Sequence, residues 1–263
     1  MGKAILITSG KGGVGKSTLA AAIAVDLARR GRRTVLVDAD IGLRCADLML
    51  NMQDRVVYDL GDILDGSVHT ERALSLCPDV PGLKLLAAPQ MMTAGEISGK
   101  DMRKLVARLK EKNDYVVIDC PAGIGRSTKN VLGCADETVI VCTMDDVSLR
   151  DAERLSGLLT KDREAHPFVV FNKTELSLIT SGAVPMPKDL ALALDMPLLG
   201  VIPFSMEVAR SVYEHRTALT CTKAHVNRAI ENICRRLTGE SVPLPEYRLS
   251  LRARLRRKGG EAR

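Results

Sequence analysis

The chain reads as an α/β protein: one doubly wound, mostly parallel sheet with helices on both faces, followed by an amphipathic C-terminal tail. Three observations predict this. Short apolar runs of strand length recur along the sequence, helical patterns separate them, and a glycine-rich loop lies between the first run and the first helix. Apolar strands alternating with helices imply parallel pairing, because each crossover helix must cover a face of the sheet.

The elements follow in order. The run Lys3–Thr8 is the first strand, and it leads into Gly10-Lys11-Gly12-Gly13-Val14-Gly15-Lys16-Ser17, which fits the phosphate-binding pattern G-x-x-x-x-G-K-[ST]. A helix over 17–30 follows, with Leu19 to Val25 as its buried side. Strand, glycine loop and helix together give the pattern its meaning. Glycines let successive backbone N–H groups turn onto phosphate oxygens, and the helix N-terminus adds partial positive charge. Lys16 then reaches the β- and γ-phosphates and the Ser17 hydroxyl ligates Mg²⁺. The sequence thus predicts a nucleoside triphosphate site.

The second strand, Thr34–Val37, ends in Asp38-Ala39-Asp40, and a later one, Tyr115–Ile118, ends in Asp119-Cys120-Pro121. Ligands of open parallel sheets sit at the carboxyl ends of the strands, so these acids face the nucleotide site. An acid after an apolar strand is the arrangement that holds Mg²⁺ directly or through water. Alone it is as often a turn or cap residue; three such features in order point to an NTPase. Further strands are read at Leu83–Ala87, Thr138–Cys142, Phe168–Phe171 and Leu198–Ile202, with helices at 100–112, 148–161 and 206–217. No repeat, low-complexity stretch or linker interrupts the series before Pro243, so residues 1–242 form one ATPase domain and 243–263 a tail.

Composition narrows the class. With 46% hydrophobic and 27% charged residues, the chain has the balance of an ordinary globular protein with ample core. No basic-then-apolar segment precedes the first strand, so no signal or transit peptide is expected, and no apolar run has the length of a membrane span. The seven cysteines include no C-x-x-C pair and read as reduced, buried thiols rather than a metal or Fe–S site. Aromatics make up 3%, which argues against a base-stacking surface. Residues 244–263 carry seven basic side chains against Glu246 and Glu261, a net +5, which leaves about +1 of the chain's +6 for the body.

Lys11-Gly-Gly-Val-Gly-Lys16-Ser-Thr18 adds a second lysine to the phosphate loop, and in this it resembles the deviant Walker A motif of the ParA/MinD ATPases. The stretches Asp38-Ala-Asp-Ile-Gly-Leu-Arg44, Asp47–Leu50, Arg55–Leu60, Asp119-Cys-Pro-Ala-Gly-Ile124, Leu149–Leu159, Leu199–Pro203 and Arg236–Pro243 are similar, in order, to the septum-siting branch of that family and cover almost the whole chain. The resemblance implies ATP and Mg²⁺ as cofactors, with Gly10, Lys11, Gly12, Gly13, Val14, Gly15, Lys16, Ser17 and Thr18 cradling the nucleotide. It makes Lys11, Lys16 and Asp40 catalytic: Lys16 binds phosphate in its own subunit, Lys11 reaches a partner's nucleotide, and Asp40 positions the attacking water. Ser17, Asp38 and Asp119 form the Mg²⁺ site, and Asn172 pairs with the adenine edge, an amide offering donor and acceptor together. The bland readings are solvated charge for Lys11 and a strand-end turn for Asn172.

The resemblance also implies an ATP-state homodimer, a division inhibitor of the MinC kind, and an activator of the MinE kind or another topological factor. These dock on the segment Ser148–Leu159, beside the dimer seam, through Arg150, Asp151 and Arg154; by pattern alone it is an ordinary half-buried helix capped by Ser148. It further implies a cytoplasmic protein, peripheral on the inner membrane face in the ATP state and bound to anionic lipids, with no specific nucleic acid. On a helix over 244–258, Leu244, Tyr247, Leu251 and Leu255 form one stripe flanked by Arg248, Arg252, Arg254 and Lys258, with Arg252 and Arg256 as lipid contacts. The stripe lacks Phe and Trp, and Leu249 falls on the wrong face. A solvated basic tail is the alternative. Three rivals share the fold: a flagellar-number ATPase, a chromosome- or plasmid-partitioning ATPase with basic residues on its folded surface, and an Fe–S scaffold, which the missing C-x-x-C argues against.

Overall fold

The structure is a computed structural model and describes residues 1–41, 44–89, 97–162, 166–213 and 224–250. Its strands are β1 (Lys3–Thr8), β2 (Thr34–Asp38), β3 (Ser75–Leu76), β4 (Leu83–Leu86), β5 (Tyr115–Asp119), β6 (Glu137–Cys142), β7 (Phe168–Thr174) and β8 (Leu198–Pro203). They form one sheet in the order β3-β4-β2-β5-β1-β6-β7-β8. Every pairing is parallel except that of β3 with β4. The expected parallel sheet is therefore present, extended by a short antiparallel edge that the apolar pattern does not announce. β1 sits between β5 and β6, and the chain continues outward on both sides of it. That reversal opens a crevice at the carboxyl end of β1, where the glycine loop begins.

The strands sort their side chains by alternation. Ile5, Ile7, Leu36 and Val117 enter one apolar cluster, while Ala4, Leu6, Val35, Val37, Val116 and Ile118 enter the one on the opposite face. A strand buried on both faces needs such a continuous apolar run, which is why these segments are legible. The first face is covered by α1 (Lys16–Arg29) and, further along the chain, α11 (Ala224–Leu237). α1 is buried almost all round, and its alanines allow close approach to the sheet and to α11.

Between β2 and β4 run three short helices, α2 (Ala46–Leu50), α3 (Leu60–Leu64) and α4 (Thr70–Ala73). The other face carries α5 (Gly99–Lys112) and α6 (Arg126–Leu132) over the β1–β5 side, then α7 (Asp146–Asp162) and α9 (Pro187–Ala193) over β6, β7 and β8. α8 (Leu176–Thr180) follows β7, and α10 (Met206–Tyr213) follows β8. The part of the expected 206–217 helix beyond Tyr213 lies outside the described residues. Among the described residues no helix is long and apolar enough to cross a membrane.

Residues 244–250 depart from the expected tail helix and have no regular secondary structure. Pro245 keeps Leu244 out of the helical region, but a first-turn proline is compatible with a helix. The irregular path of 246–250 goes with its tie to the body, the Ser250 N–H donating to the Thr180 carbonyl. Tyr247 packs instead against the cluster beneath α7 and α9. Leu251, Arg252, Leu255 and Arg256 lie outside the described residues.

Helix and sheet pack tightly at Gly200 on β8, where a Cβ would fall 2.5 Å from Ile233 Cγ1 and 2.8 Å from its Cδ1. Ile233 is fully buried and has no room to retreat. Gly200→Val is expected to cost about 1–3 kcal/mol by overpacking, read as a lower urea midpoint at unchanged slope.

Candidate functional site

The site is built from the carboxyl ends of β1, β2, β5 and β7. After Ser9 the chain loops through Gly10–Gly15 and enters α1, with Gly13 at φ 80° and Gly15 at φ 93°. Only glycine takes these left-handed values without strain. A Cβ at Gly12 or Gly13 would meet nothing within 4 Å, so the loop presents bare backbone to open space, as a phosphate cradle requires. Its back is held from β7: the Asn172 amide donates to the Val14 carbonyl (2.8 Å) and Lys173 Nζ to that of Gly13 (2.7 Å). A Cβ at Gly15 would stand 2.3 Å from Asn172 Nδ2, and one at Gly10 2.5 Å from Asp151 Cβ. The loop is thus clamped between β7 and α7, and two of its glycines are explained by packing as well as by phosphate.

Behind the loop lies a buried charge cluster. Lys16 Nζ is 2.7 Å from Asp119 Oδ1, 3.3 Å from Asp40 Oδ2 and 3.3 Å from Ser17 Oγ. Lys16 is 6% exposed and Asp119 fully buried. Asp38 and Asp119 are register partners at the ends of β2 and β5. The sequence-predicted Lys16, Ser17, Asp38, Asp40 and Asp119 are therefore brought together. Asp38 accepts from the backbone N–H groups of Asp40 (3.0 Å) and Ala46 (2.9 Å), which makes it the brace of the turn carrying Asp40.

Burial, then the charge of Asp119, pushes the Asp38 carboxyl up to about 7. Burial also raises Asp119, with Lys16 pulling the other way. Burial lowers Lys16, but Asp119 and then Asp40 outweigh it, so the net shift is upward. Asp119 Oδ2 is buried without a hydrogen-bond partner. Such an orphaned anionic oxygen beside the Ser17 hydroxyl suits a hard divalent cation. Among the described residues no three His, Cys, Asp or Glu side chains are arranged to hold a metal by themselves, so Mg²⁺ here would take phosphate and water oxygens as well.

Lys11 stands apart from this cluster. It is 37% exposed, and its Nζ lies 3.3 Å from Asp145 Oδ1, ahead of α7. Asp145 also accepts from the Thr143 hydroxyl and the Ser148 N–H, and the Thr143 bond leads in holding its carboxyl low. On α7, Arg150 and Arg154 are exposed as expected. Asp151 is not a free surface contact: it lies 3.9 Å from Arg154 and is wedged against Gly10. A pocket of about 530 Å³ opens from the loop past Thr18, Asn172 and Lys173 to an apolar wall that includes Met49, Phe204 and Val208. Asp145 and this wall carry no motif in the sequence; Lys173 belongs with Asn172 to the stretch that resembles the family's adenine-side motif, but its contact with Gly13 is visible only in the fold.

The family described as "ParA: NUBPL iron-transfer P-loop NTPase" matches residues 1–238. The septum site-determining protein MinD of Synechocystis is 36% identical over 248 residues, 94% of this chain and 93% of its own length. That of Bacillus subtilis is 37% identical over 246 residues, 93% and 92% of the two chains. Among solved structures, the MinC:MinD cell division protein complex of Aquifex aeolicus superposes with a TM-score of 0.85 at 35% identity, covering 93% of this chain and 99% of that one.

Removing the buried ammonium strands its carboxylates. Lys16→Met is expected to destabilise the nucleotide-free protein by roughly 3–5 kcal/mol at pH 8. Burial lifts the folded Asp38 from 3.8 to about 7, so the folded state binds the extra proton between those values. Stability is lost as pH rises through that window, and the deficit should be smaller near pH 5 than at pH 8 in urea titrations.

Proposed function

Since the chain belongs to the ParA/MinD family of P-loop ATPases, we propose that it is a membrane-cycling ATPase that positions the bacterial division septum. The chain is an ATPase; the cycle around that activity is the proposal. One observation carries it: a single loop bears two lysines of opposite character, Lys16 buried on Asp119 and Lys11 at the surface on Asp145. One lysine serves its own site, and the other is free to serve a neighbour's.

In the cycle, ATP enters the glycine cradle with its base toward Asn172. One of that residue's amide hydrogens is held by Val14; the other and the carbonyl remain for the adenine edge. Lys16 turns from Asp119 and Asp40 to the β- and γ-phosphate oxygens. Ser17 and Asp119 would hold Mg²⁺, braced by Asp38, and the ion supplies charge neutralisation on the transferred phosphoryl group. Asp40, released from Lys16, accepts a hydrogen bond from the attacking water and holds it in line. Phosphoryl transfer depends on this placement more than on a strong base.

Lys11 leaves Asp145 and reaches the nucleotide of a second copy, so hydrolysis waits for the homodimer. The exposed Arg150 and Arg154, with Asp151 behind them, offer α7 to a MinC-like inhibitor and to a MinE-like activator or other topological factor. The basic tail binds anionic lipid on the inner membrane face. Each basic side chain adds about 1 kcal/mol near such a surface, and pairing two tails raises the effective concentration enough for about 10²–10⁴ in avidity.

One observation favours a second reading. Lys100, Arg103, Lys104 and Arg108 on α5 and Arg126 and Lys129 on α6 are exposed on adjoining helices. A partitioning ATPase that holds DNA nonspecifically needs such a folded basic face.

Two measurements test the proposal. Lys11→Ala should leave affinity for a fluorescent ATP analogue within about twofold while ATP-dependent dimerisation disappears and turnover falls by at least tenfold, a modest share of what a trans-acting cation supplies. Sedimentation with phosphatidylglycerol-rich vesicles should require both ATP and residues 251–263. Retention of duplex DNA at physiological salt, without vesicle pelleting, would transfer the assignment to partitioning.

A further inference from the structure

The segment 242–250 has no regular structure, yet its side chains alternate. Val242, Leu244, Tyr247 and Leu249 are half-buried, while Pro243, Pro245, Glu246, Arg248 and Ser250 are exposed. Both ends are tied to the body. Arg236 on α11 donates to the carbonyls of Val242 (3.0 Å), Pro243 (2.6 Å) and Leu199 (2.7 Å), which staples the start of the segment to β8. At the other end the Ser250 N–H donates to the carbonyl of Thr180, the last residue of α8 (2.8 Å). Between these ties Tyr247 packs against the buried cluster that includes Ala191 of α9, Met196, and Val201 of β8, and burial raises its phenol pKa.

We infer that the surface formed by the end of α8, α9 and the start of β8 is a docking site for the chain's own segment 242–250, and that docking competes with lipid for Leu244 and Tyr247. The inference rests on the membrane reading proposed above. Two apolar patterns are superposed on one stretch of sequence. Leu244, Tyr247, Leu251 and Leu255 follow the helical period, whereas Val242, Leu244, Tyr247 and Leu249 follow the near-alternating period of an extended strap. Leu249 has no place on the helical stripe, and the strap gives it one.

The two arrangements exclude each other. A helix entered at Pro245 and running to 258 would send the Ser250 N–H to the carbonyl of Glu246 rather than to Thr180, and would carry Tyr247 away from the cluster under α7 and α9. The Arg236 staple lies upstream of the shared residues and can persist in both. The body therefore holds the first half of the lipid-binding stripe in reserve.

Leu249 separates the two roles, because it serves the strap alone. Leu249→Ser should bind phosphatidylglycerol-rich vesicles at least threefold more tightly than the native chain in ATP and Mg²⁺, and should pellet measurably in ADP, with ATP turnover in solution unchanged. Equal or weaker binding overturns the inference. As a second measurement, Thr180→Cys with Ser250→Cys, oxidised, should bind vesicles about tenfold more weakly than the same protein after reduction. An oxidised form that binds as well as the reduced one also overturns it. If the native chain itself fails to pellet with ATP, the membrane reading falls, and this competition falls with it.

Discussion

The site depends on one buried cation. Asp38, Asp40 and Asp119 stand at the ends of neighbouring strands, where the apolar sheet leaves them little water. Lys16 Nζ, 2.7 Å from Asp119 and 3.3 Å from Asp40, is the cation that pairs them, and it opposes the rise that burial imposes on the Asp119 carboxyl. Acids gathered without a cation would take up protons instead. The same lysine begins α1, so neutralising the acids also fixes the entry of the helix beneath the glycine loop. In the proposed cycle nucleotide binding would be an exchange of partners: phosphate would take the lysine, and a divalent cation would be held by Asp119 in its place.

The loop's shape has a second source, in β7. Asn172 and Lys173 hold the carbonyls of Val14 and Gly13, which engages the loop's acceptors from β7. Asp151 presses on Gly10 from α7. The helix proposed to meet partners and the loop proposed to meet phosphate thus share a packing contact. A displacement of either must be accommodated by the other, because neither Gly10 nor Asp151 has free volume between them.

Much of this was legible in sequence because it is written locally. Strands buried on both faces need continuous apolar runs, so Lys3–Thr8, Thr34–Val37 and Tyr115–Ile118 announced themselves, and the acids that close two of these runs fell where a parallel sheet places its ligands. The glycine loop carries its geometry in its own composition. What stayed hidden is long-range. Lys11 meets Asp145 and Lys173 meets Gly13 across most of the folded domain, and no local pattern encodes either pairing. α11 is the exception among local signals: Val226, Ala229, Ile230, Ile233, Cys234 and Leu237 recur at helical spacing and pack on one cluster, so its pattern was present in the sequence, and the helices read from the chain do not include it. The tail is a different case: its helical stripe is a pattern in the sequence, residues 244–250 follow a competing alternation against the body, and 251–258 lie outside the described residues.

That competition fits what a dimer-gated switch requires. A tail that bound lipid strongly alone would hold the monomer at the membrane and make nucleotide irrelevant. A docked strap lowers the apparent affinity of each tail by the fraction of time it is released. For a monomer the reduction applies once, to an interaction already weak. For a dimer the first tail to release brings the second to the surface, where the high effective concentration of lipid repays its release. A threshold of this kind needs no signal from the nucleotide to the tail beyond dimerisation itself. It asks only that Leu244 and Tyr247 have two places to go, of comparable merit, and the alternation of Val242, Leu244, Tyr247 and Leu249 against the body supplies the second.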